Sequence, residues 1–536
     1  MEFNLADLFE LAVDAFPDRD YLVCGTKSRT YREMEERANR LAHHLAAQGV
    51  GPGDHVGIYG FNSVEWVETL WAVFKLRAVW ININYRYVED ELLYIFENAD
   101  LKALVYERQF GPRLAAVRTQ GLPLLRHVIV IEDGSDGESL GDAVPYEDAL
   151  AASSAARDFG PRSSDDRYIL YTGGTTGMPK GVVWRHEDVF MALGGGIDPM
   201  TNERVTSPDA LVEKAKAGGP MTFLPIAPLM HGATQWATMG RSFVGDKVVL
   251  MPKFDAKAAW GLVEQEKVNS IMITGDAMAR PLIEALNAPD APWDVSSLFA
   301  LSSSAATFSP SVKDEFFARF PNLYMIDAIG SSESGNNGMV IVQPGQTAMK
   351  GGPTVSKLGN TVVFDEEMHP VEAGSGTIGK IARGGDIPVE YYKDPKKTAE
   401  TFVTIDGKRY AMPGDFAMVE ADGRITLLGR GSVSINSGGE KIFPEEVEAA
   451  VKSHPAIFDC TVVGVPDERF GERVAAVVQL RSGDEPTLES VQEHCRTKIA
   501  GYKIPRELHV VSEVVRSPSG KPDYRWAKDT ALAARA

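Results

Sequence analysis

The chain is 536 residues long, and 44% of its residues are hydrophobic while 24% are charged, the balance of an ordinary globular protein. Lys and Arg number 55 against 74 Asp and Glu, and the net charge of −19 argues against nucleic acid as a bulk partner because it implies no basic face. The length exceeds what one hydrophobic core accommodates, so we expect at least two domains.

The N-terminal part alternates between strand-like and helix-like segments. Thr30 and Glu33 form a Thr-x-x-Glu capping box that predicts the start of a helix. A further helix is predicted with Asn62 as its cap and Glu65 three residues on. Strands that alternate with helices imply βαβ units and a mostly parallel, buried sheet. The other predicted segments are helices at 5–16 and 89–98 and strands at 21–24, 56–59, 78–83, 103–106 and 128–131.

A loop rich in glycine and threonine follows an apolar strand predicted at 168–171. Glycine lets the backbone approach a phosphate closely, successive N–H groups form an anion-binding concavity, and Lys180 adds a positive charge. The common P-loop has Ser or Thr after its lysine to hold Mg²⁺, whereas this chain has Gly181. The alternative is a hairpin or βα turn with ordinary turn residues. The residues predicted to bind phosphate are Thr172, Gly173, Gly174, Thr175, Thr176, Gly177, Met178, Pro179 and Lys180.

The alternating pattern resumes after this loop and then becomes rich in strands. A polar segment at 199–219 is predicted to be a surface insertion. Residues 350–429 are glycine-rich and β-like, which predicts a smaller β-rich subdomain. The intervening predictions are strands at 248–251, 270–273 and 323–326 and helices at 256–265 and 310–320.

A domain boundary is predicted just after Arg430, where several glycines loosen the chain. We therefore predict an α/β fold with a large N-terminal domain of βαβ-type subdomains plus the β-rich subdomain over 1–430. A small α+β domain over 431–536 is expected to move as a body about the glycine-rich connector. Its predicted elements are helices at 444–454 and 488–499 and strands at 461–465, 475–480 and 508–511.

The cysteines and the N-terminus indicate a cellular compartment. Cys24, Cys460 and Cys495 lie far apart and show neither metal-ligand spacing nor a disulfide framework, so a reducing cytoplasm is expected. Glu2 and Asp7 near the start, without a basic region, argue against a signal peptide. No apolar run is long enough to span a bilayer, so an integral membrane protein is not expected.

Several later segments combine chemistry-bearing side chains with turns. His231 follows a proline-rich approach at 224–230, although a lone histidine is as often structural as functional. Small side chains at 301–307 would let a flat base lie against the backbone, although they also suit a strand-to-helix turn. Glu333 is a hard oxygen ligand suited to Mg²⁺. Lys521 lies on a C-terminal loop, where a lone lysine is normally a solvated charge.

Taken in chain order, these segments resemble the signature blocks of the adenylate-forming enzymes, which include acyl-CoA synthetases, luciferases and peptide-synthetase adenylation domains. Ile329 stands where the family has an aromatic side chain on the adenine, and Ser432 where it has a hinge Asp or Lys. The matching blocks lie at 168–181, 224–232, 301–307, 327–333, 413–415, 429–430, 437–448 and 516–521. Segments similar to an actinobacterial subgroup, which contains steroid side-chain (cholestenoate) and long-chain fatty acyl-CoA ligases, lie at 184–188, 230–235, 274–280 and 521–528.

The resemblance implies a role for each block. Glu333 would bind Mg²⁺, and the hydroxyl of Ser332 would touch the α-phosphate. Asp415 would accept both ribose hydroxyls, Arg430 would meet the ribose and phosphate, and Lys521 would bridge the carboxylate and the α-phosphate. The implied catalytic residues are Lys521, Glu333, Thr176, Lys180 and His231. Besides the phosphate loop, the residues implied to bind nucleotide or CoA are Ser304, Ala305, Ala306, Ala328, Ile329, Gly330, Ser331, Ser332, Glu333, Asp415, Arg430, Gly438, Gly439, Glu440, Lys441 and Lys521.

The implied activity is an ATP-dependent acyl-CoA ligase that forms an acyl-adenylate and then a thioester, with ATP, Mg²⁺ and CoA as cofactors. The expected acid is hydrophobic, either a long-chain fatty acid or a steroid side-chain acid. The sequence does not decide whether the chain forms a homodimer. The alternatives are a fatty acyl-AMP ligase that serves a carrier protein, a non-catalytic acyl- or nucleotide-binding protein, and a luciferase-like oxidase. The size of the acid that fits depends on how the pocket side chains pack, which their spacing in the sequence does not reveal. These side chains are Met230, Trp236, Met239, Ile271, Met272 and Met278.

Overall fold

The computed structural model describes residues 2–172, 178–198, 201–289, 291–347, 352–437, 440–481, 485–517 and 520–534. Contacts divide the chain into two compact units. The first contains Met1–Met272, Trp293–Leu298 and Asp386–Phe402. The second contains Ile273–Pro292, Phe299–Gly385 and Val403–Ala536. Residues 431–536 therefore belong to the second unit, and the domain boundary at residue 430 stays a prediction.

The elements are numbered in chain order. The helices are α1 (Leu5–Ala15), α2 (Tyr31–Ala47), α3 (Val64–Lys75), α4 (Glu89–Asn98), α5 (Gly111–Arg118), α6 (Tyr146–Ala151), α7 (His186–Leu193), α8 (Pro208–Gly218), α9 (Gly232–Ser242), α10 (Ala256–Glu266), α11 (Asp276–Asn287), α12 (Pro310–Arg319), α13 (Pro395–Thr401), α14 (Pro444–Lys452), α15 (Leu488–Arg496) and α16 (Tyr524–Ala533).

The strands follow the same order. They are β1 (Asp20–Cys24), β2 (Lys27–Thr30), β3 (His55–Tyr59), β4 (Val79–Asn82), β5 (Leu101–Glu107), β6 (His127–Ile131), β7 (Val144–Pro145), β8 (Arg167–Thr172), β9 (Lys180–Arg185), β10 (Thr222–Pro225), β11 (Lys247–Leu250), β12 (Ser270–Ile273), β13 (Ala300–Ser303), β14 (Tyr324–Ser331), β15 (Gly335–Val342), β16 (Thr354–Lys357), β17 (Asn360–Phe364), β18 (Ile378–Gly384), β19 (Glu390–Tyr391), β20 (Phe402–Ile405), β21 (Lys408–Ala411), β22 (Asp415–Val419), β23 (Ile425–Arg430), β24 (Ile435–Ser437), β25 (Glu440–Ile442), β26 (Ile457–Asp467), β27 (Gly471–Leu480) and β28 (Glu507–Val511).

The first unit contains a sheet in the order β19-β9-β8-β4-β3-β5-β6-β7. Neighbouring strands from β8 to β7 run parallel, as the alternating pattern predicts, whereas β9 runs antiparallel to β8. A second run of neighbouring strands has the order β2-β1-β11-β10-β12, parallel from β1 onward. Buried apolar strands of this kind require helices on both faces, which explains the many apolar residues on α3.

Two helix starts test the capping predictions. Thr30 accepts a hydrogen bond from the backbone N–H of Glu33, and the Glu33 carboxylate accepts one in return, so the predicted capping box is confirmed. The prediction of Asn62 as a cap is wrong, because Ser63 caps α3 by accepting from the N–H of Trp66. Asn62 lies one residue earlier, and its amide instead bonds to two distant backbone groups.

The polar segment at 199–219 contains α8, which the sequence analysis treated only as a surface insertion. Ser207 caps this helix and Pro208 occupies its first turn. Leu211, Val212 and Ala215 are buried on one of its faces, so the segment contributes to the packing of the first unit.

The second unit begins its sheet with β13 and β14 in parallel and continues through antiparallel strands in the order β15-β16-β23-β22-β18. This confirms the predicted β-rich region between residues 350 and 429. A separate sheet has the order β25-β24-β27-β26, with β28 pairing parallel to β27. The predicted helices and strands beyond residue 430 are present, and the sequence analysis missed α16 and the β24–β25 hairpin.

No helix among the described residues has both the length and the apolarity needed to cross a membrane.

Candidate functional site

The ends of two parallel strands bring two predicted segments together in the second unit. Ser303 at the end of β13 lies opposite Asp327 on β14. The residues that follow on each strand, 304–306 and 328–333, therefore leave the same edge of the sheet. This carboxyl edge is where ligands bind in many α/β proteins. Ala305 has a left-handed φ of +66°, which turns the chain sharply beside the strand end.

The turn that carries Glu333 is held by a serine hydroxyl. Oγ of Ser331 accepts hydrogen bonds from the backbone N–H groups of Glu333 at 3.3 Å and Ser334 at 3.2 Å. Gly330 is required in the approach to this turn because a Cβ there would collide with the carbonyl oxygen of Gly335 on β15. The backbone of Glu333 is thereby fixed in the turn that connects β14 and β15.

Ile329 is buried within the second unit rather than presented to solvent. Its side chain is 5% exposed and belongs to an apolar cluster with Val355, Ile381 and Ile425. Little of Ile329 is therefore available to a base, and the side chain of Ala328 lies on the other face of β14 because strand side chains alternate.

Asp415 and Arg430 form a pair at the ends of two antiparallel strands. Asp415 begins β22, Arg430 ends β23, and the two lie opposite each other in register. Nε of Arg430 donates to Oδ1 of Asp415 at 3.0 Å. The two side chains predicted to meet a ribose thus restrain one another.

Lys521 lies on a tight loop. The N–H of Ser517 donates to the carbonyl oxygen of Lys521 at 2.9 Å, and the N–H of Lys521 donates to Oγ of Ser517 at 3.1 Å. Gly520 adopts a φ of +74°, a conformation that glycine allows without strain. Lys521 as a whole residue keeps contact with solvent, whereas its ammonium group is surrounded by protein.

The charged residues of the second unit influence one another. The surrounding protein desolvates the ammonium group of Lys521 and lowers its pKa, and the positive charge of Arg430 lowers it further. Glu333 and Asp415 oppose this by attracting the protonated amine. Lys521 is therefore within electrostatic reach of Glu333, Asp415 and Arg430, and we call these four residues the charged cluster.

Glu333 could hold a Mg²⁺ ion together with substrate phosphates. It is 9% exposed, so its oxygens sit at a protected position. Mg²⁺ retains several waters and is usually held by one or two carboxylates together with substrate phosphates. Among the described residues there is no group of three or more His, Cys, Asp or Glu side chains that could hold a metal ion alone.

The half-buried Glu445 lies beside the Asp415–Arg430 pair, and one of its carboxyl oxygens is shielded from solvent. Burial raises the pKa of Glu445 to about 8, and the negative charges of Glu448 and Asp415 add to this. Gly429, with a φ of +136°, leaves space for the Glu445 carboxyl group, because a Cβ there would collide with it. Glu445 lies in the sequence block at 437–448, but that block alone does not predict its contact with Gly429.

In the first unit, the phosphate loop connects two strands of a hairpin. Thr172 on β8 pairs with Lys180 on β9, so the loop is not a strand-to-helix connection. The ammonium group of Lys180 forms an ion pair with Asp394, which also caps α13 by accepting from the N–H of Lys397. This hydrogen bond from Lys180 lowers the pKa of Asp394. Met178 is exposed and Pro179 is buried.

Asn82 connects the phosphate-loop strand to the segment that carries His231. Its amide donates to the carbonyl oxygens of Tyr171 at 2.9 Å and Met230 at 2.7 Å. Its side-chain oxygen accepts from the N–H of Tyr171 at 2.8 Å. Asn82 is 3% exposed, so these bonds form in the interior, and His231 follows directly as the cap residue of α9.

Some predicted residues lie outside the described part of the chain. These are Gly173, Gly174, Thr175, Thr176, Gly177, Gly438 and Gly439, and the side chain of Lys441. Glu440 pairs with Ser437 in the β24–β25 hairpin and is exposed. The sequence analysis missed Asp394 and Asn82, because each acts through partners far away in the chain.

Comparison with known families identifies two matching regions. Residues 9–392 match the family model described as AMP-binding enzyme. Residues 446–521 match the model described as AMP-binding enzyme C-terminal domain.

Similar proteins cover nearly the whole chain. A 3-oxocholest-4-en-26-oate–CoA ligase from Rhodococcus rhodochrous is 54% identical over 99% of this chain and 96% of its own. A medium/long-chain-fatty-acid–CoA/3-oxocholest-4-en-26-oate–CoA ligase from Mycobacterium marinum is 55% identical over 98% and 96%.

Solved structures show the same fold. An anthranilate CoA ligase in complex with anthranoyl-AMP gives a TM-score of 0.85 at 23% identity, covering 99% of this chain and 98% of its own. A fatty acyl CoA synthetase from Mycobacterium tuberculosis gives 0.71 at 23% identity, covering 99% of both chains. The predicted α/β fold class is confirmed.

Proposed function

The chain belongs to the AMP-binding enzyme family, and from this we propose that it is an AMP-forming acyl-CoA ligase for a hydrophobic carboxylic acid. In the first step the carboxylate attacks the α-phosphorus of ATP, which gives acyl-AMP and expels pyrophosphate. In the second step the CoA thiol attacks the acyl carbonyl, a thioester forms, AMP leaves and a proton is released.

The charged cluster of Glu333, Asp415, Arg430 and Lys521 is the observation that carries this proposal. The first step joins one anion to another and expels a third, so catalysis depends mainly on positioning and on stabilising charge. A cluster that combines two cations with two carboxylates offers groups for phosphate, for ribose and for a metal ion.

Each member of the cluster has a proposed task. Lys521 neutralises negative charge that the acid and the α-phosphate bring together. Asp415 accepts the ribose hydroxyls while Arg430 keeps its carboxylate oriented, and Arg430 also meets the phosphate. The hydroxyl of Ser332 donates to the α-phosphate.

Glu333 is the residue that would hold Mg²⁺. When bound there, the metal ion would neutralise part of the phosphate charge. Ser331 orients that carboxylate through the turn described above. Lys180 and the hydroxyls of Thr172, Thr175 and Thr176 would bind the outer phosphates, and Lys180 must then leave Asp394.

The second step is assigned to the C-terminal part of the chain. The segment at 437–448 is proposed to line the path of the CoA arm, and residues 431–536 to move relative to the rest between the two steps. His231 is proposed to gate the acyl site.

The buried thiols of Cys24, Cys460 and Cys495 form no disulfide, which supports a cytoplasmic location.

The proposed acids are medium- and long-chain fatty acids and a steroid side-chain acid. The support comes from relatives above 50% identity that are named as ligases of these acids. The oligomeric state, monomer or homodimer, is open to measurement by light scattering.

Two assays of the purified chain test the proposal. Acid-dependent release of pyrophosphate from ATP reports the first step, and formation of acyl-CoA from free CoA reports the second. No pyrophosphate release with any acid would indicate a non-catalytic binding protein. Pyrophosphate release without acyl-CoA would indicate a fatty acyl-AMP ligase that serves a carrier protein.

A further inference from the structure

We propose that the buried ion pair between Asp276 and Lys452 positions Lys521 for the adenylation step. The inference rests on the proposed function, because it assigns this pair a role in the first of the two half-reactions. Asp276 begins α11 and Lys452 ends α14, and all three residues lie within the second unit.

The ion pair is almost completely buried. Nζ of Lys452 donates to Oδ2 of Asp276 at 2.8 Å, and the two side chains are 2% and 3% exposed. Oδ1 of Asp276 accepts from the N–H of Ser309 at 2.8 Å. Burial alone would raise the pKa of Asp276, but the charges of Lys452 and Arg280 lower it, which favours the carboxylate form of Asp276.

The turn that contains Asp276 also supports the loop of Lys521. A Cβ placed on Gly520 would meet the carbonyl oxygen of Thr274 at 2.8 Å and Cβ of Ala277 at 3.0 Å. The backbone next to Lys521 therefore rests against the residues on either side of Asp276. A shift of this turn would move the loop with it.

The other end of the ion pair reaches the same loop through Arg516. Lys452 and Glu448 share α14, and Glu448 accepts from the N–H of Val462 on β26 at 3.0 Å. The guanidinium of Arg516 is bound to Asp459 on the same strand and donates to the carbonyl oxygen of Gly520 at 3.0 Å. The ion pair thus connects the two parts of the protein that contact the Lys521 loop, which are the turn that contains Asp276 and the guanidinium of Arg516 held on β26.

A charged pair suits this position for a physical reason. Apolar side chains could hold α11 and α14 together at a smaller desolvation cost. An ion pair with fixed hydrogen bonds instead favours one alignment, since small displacements break its geometry while apolar contacts tolerate sliding. Positioning a catalytic lysine requires one alignment.

The test measures both half-reactions in Lys452→Met and in Asp276→Asn. We expect acid-dependent pyrophosphate release to fall about 10- to 100-fold, less than the roughly 10²–10³ that removal of a stabilising group itself typically costs. Thioester formation from supplied acyl-AMP should stay within about 3-fold, and Lys452→Arg should recover much of the first step. Equal loss in both half-reactions would contradict the proposal.

A second comparison separates positioning from damage to the fold. The double variant Asp276→Asn/Lys452→Met removes both charges of the ion pair and leaves only the buried charge of Arg280 beside them, so its thermal unfolding midpoint should lie above that of Asp276→Asn. Its pyrophosphate release should nevertheless stay low. Recovery of both the unfolding midpoint and the rate of pyrophosphate release would mean that the pair only stabilises the fold, and would overturn the proposal.

Coupling to Lys521 gives the most specific readout. If Lys452 acts through Lys521, adding Lys452→Met to Lys521→Ala should lower pyrophosphate release by less than about 3-fold more. If the losses caused by Lys452→Met and Lys521→Ala instead multiply in the double variant, the proposal is overturned.

Arg481→Met is the matched control, because Arg481 pairs at 2.7 Å with Glu284 on α11, the helix that Asp276 begins, and this pair is partly exposed. It should leave both half-reactions nearly unchanged, and a loss of pyrophosphate release equal to that of Lys452→Met would overturn the specific role of Lys452. A wild-type chain without pyrophosphate release would contradict the proposed function instead.

Discussion

Arg430 and Asp415 face each other across two adjacent antiparallel strands, β23 and β22, of the second unit's large sheet, and Nε of the arginine donates to Oδ1 of the aspartate at 3.0 Å. Each side chain is the other's orienting partner. Because they begin and end paired strands, their spacing is fixed by the backbone ladder rather than by a flexible loop. A ligand that needs both groups therefore meets a preorganised pair.

Asp415→Asn should raise the KM for ATP about 10- to 100-fold, because the amide keeps the shape of the side chain but loses the charge that hydrogen bonds to ribose hydroxyls and to Arg430 require. Steady-state kinetics of pyrophosphate release at varied ATP measures this. Asp422→Asn is the control, since Asp422 forms an exposed pair with Arg424 in the turn between the same strands. An unchanged KM for ATP in Asp415→Asn would exclude this residue from the ATP site.

Lys521→Ala should slow acyl-AMP formation by on the order of 10²–10³, the usual cost of removing one group that stabilises developing charge. Thioester formation from supplied acyl-AMP should remain near the wild-type rate. Lys528→Ala, a change of an exposed lysine on α16, serves as the comparison. Similar losses in both half-reactions would count against the assignment of Lys521 to adenylation.

Asp394→Asn tests whether ATP competes with Asp394 for Lys180. Asparagine can still cap α13, but it no longer attracts the ammonium group of Lys180. A partly exposed pair contributes about 0.2–1 kcal/mol, so the KM for ATP should fall about 1.5- to 5-fold. Asp100→Asn removes the partner of the adjacent Lys393 and should have no such effect. A higher KM would mean that Asp394 helps Lys180 to bind ATP.

Local signals were sufficient where a few neighbouring residues decide the structure. The helix predicted at 89–98 is observed at these bounds. Its first turn is acidic, and Glu91 accepts a hydrogen bond from the N–H of Val88 just before the helix. At Asn62 and Ser63 both residue types can cap a helix, and the local pattern does not choose between them. Tertiary hydrogen bonds to the backbone of Leu229 and Met251 decide the choice.

The candidate site was predicted residue by residue, but its internal contacts were not. Glu333, Asp415 and Lys521 were identified from the resemblance of their sequence blocks. The partner of Lys180 lies 214 residues away at Asp394, and no local pattern connects them. The buried pair of Asp276 and Lys452 is likewise formed by residues that are distant in sequence, so only the folded chain reveals it.

Glu107→Gln should stabilise the first unit at alkaline pH. Burial raises the pKa of Glu107 to about 7, so the folded state binds its proton more tightly than the unfolded chain does. The stability that this proton provides is complete below the ordinary pKa of glutamate and is lost as the pH rises through about 7. One pKa unit corresponds to about 1.4 kcal/mol, so the advantage of the glutamine variant should grow by about that amount between pH 6 and pH 8.5. Thermal unfolding at both pH values measures it, and a constant difference would contradict the raised pKa.

Acids of increasing size should be used with increasing kcat/KM, from acetate through medium- and long-chain fatty acids to a steroid side-chain acid. Met230, Trp236 and Met239 are buried on and before α9 in the first unit, and methionine adapts to large, irregular apolar ligands. Each buried CH₂ contributes about 0.8 kcal/mol, so a long chain gains several powers of ten in binding over acetate. AMP formation across this panel gives the ratio, and decanol, which has a chain but no carboxylate, should give no AMP. A preference for acetate or propionate would contradict both the proposed substrate class and the assignment of these methionines to the acyl site.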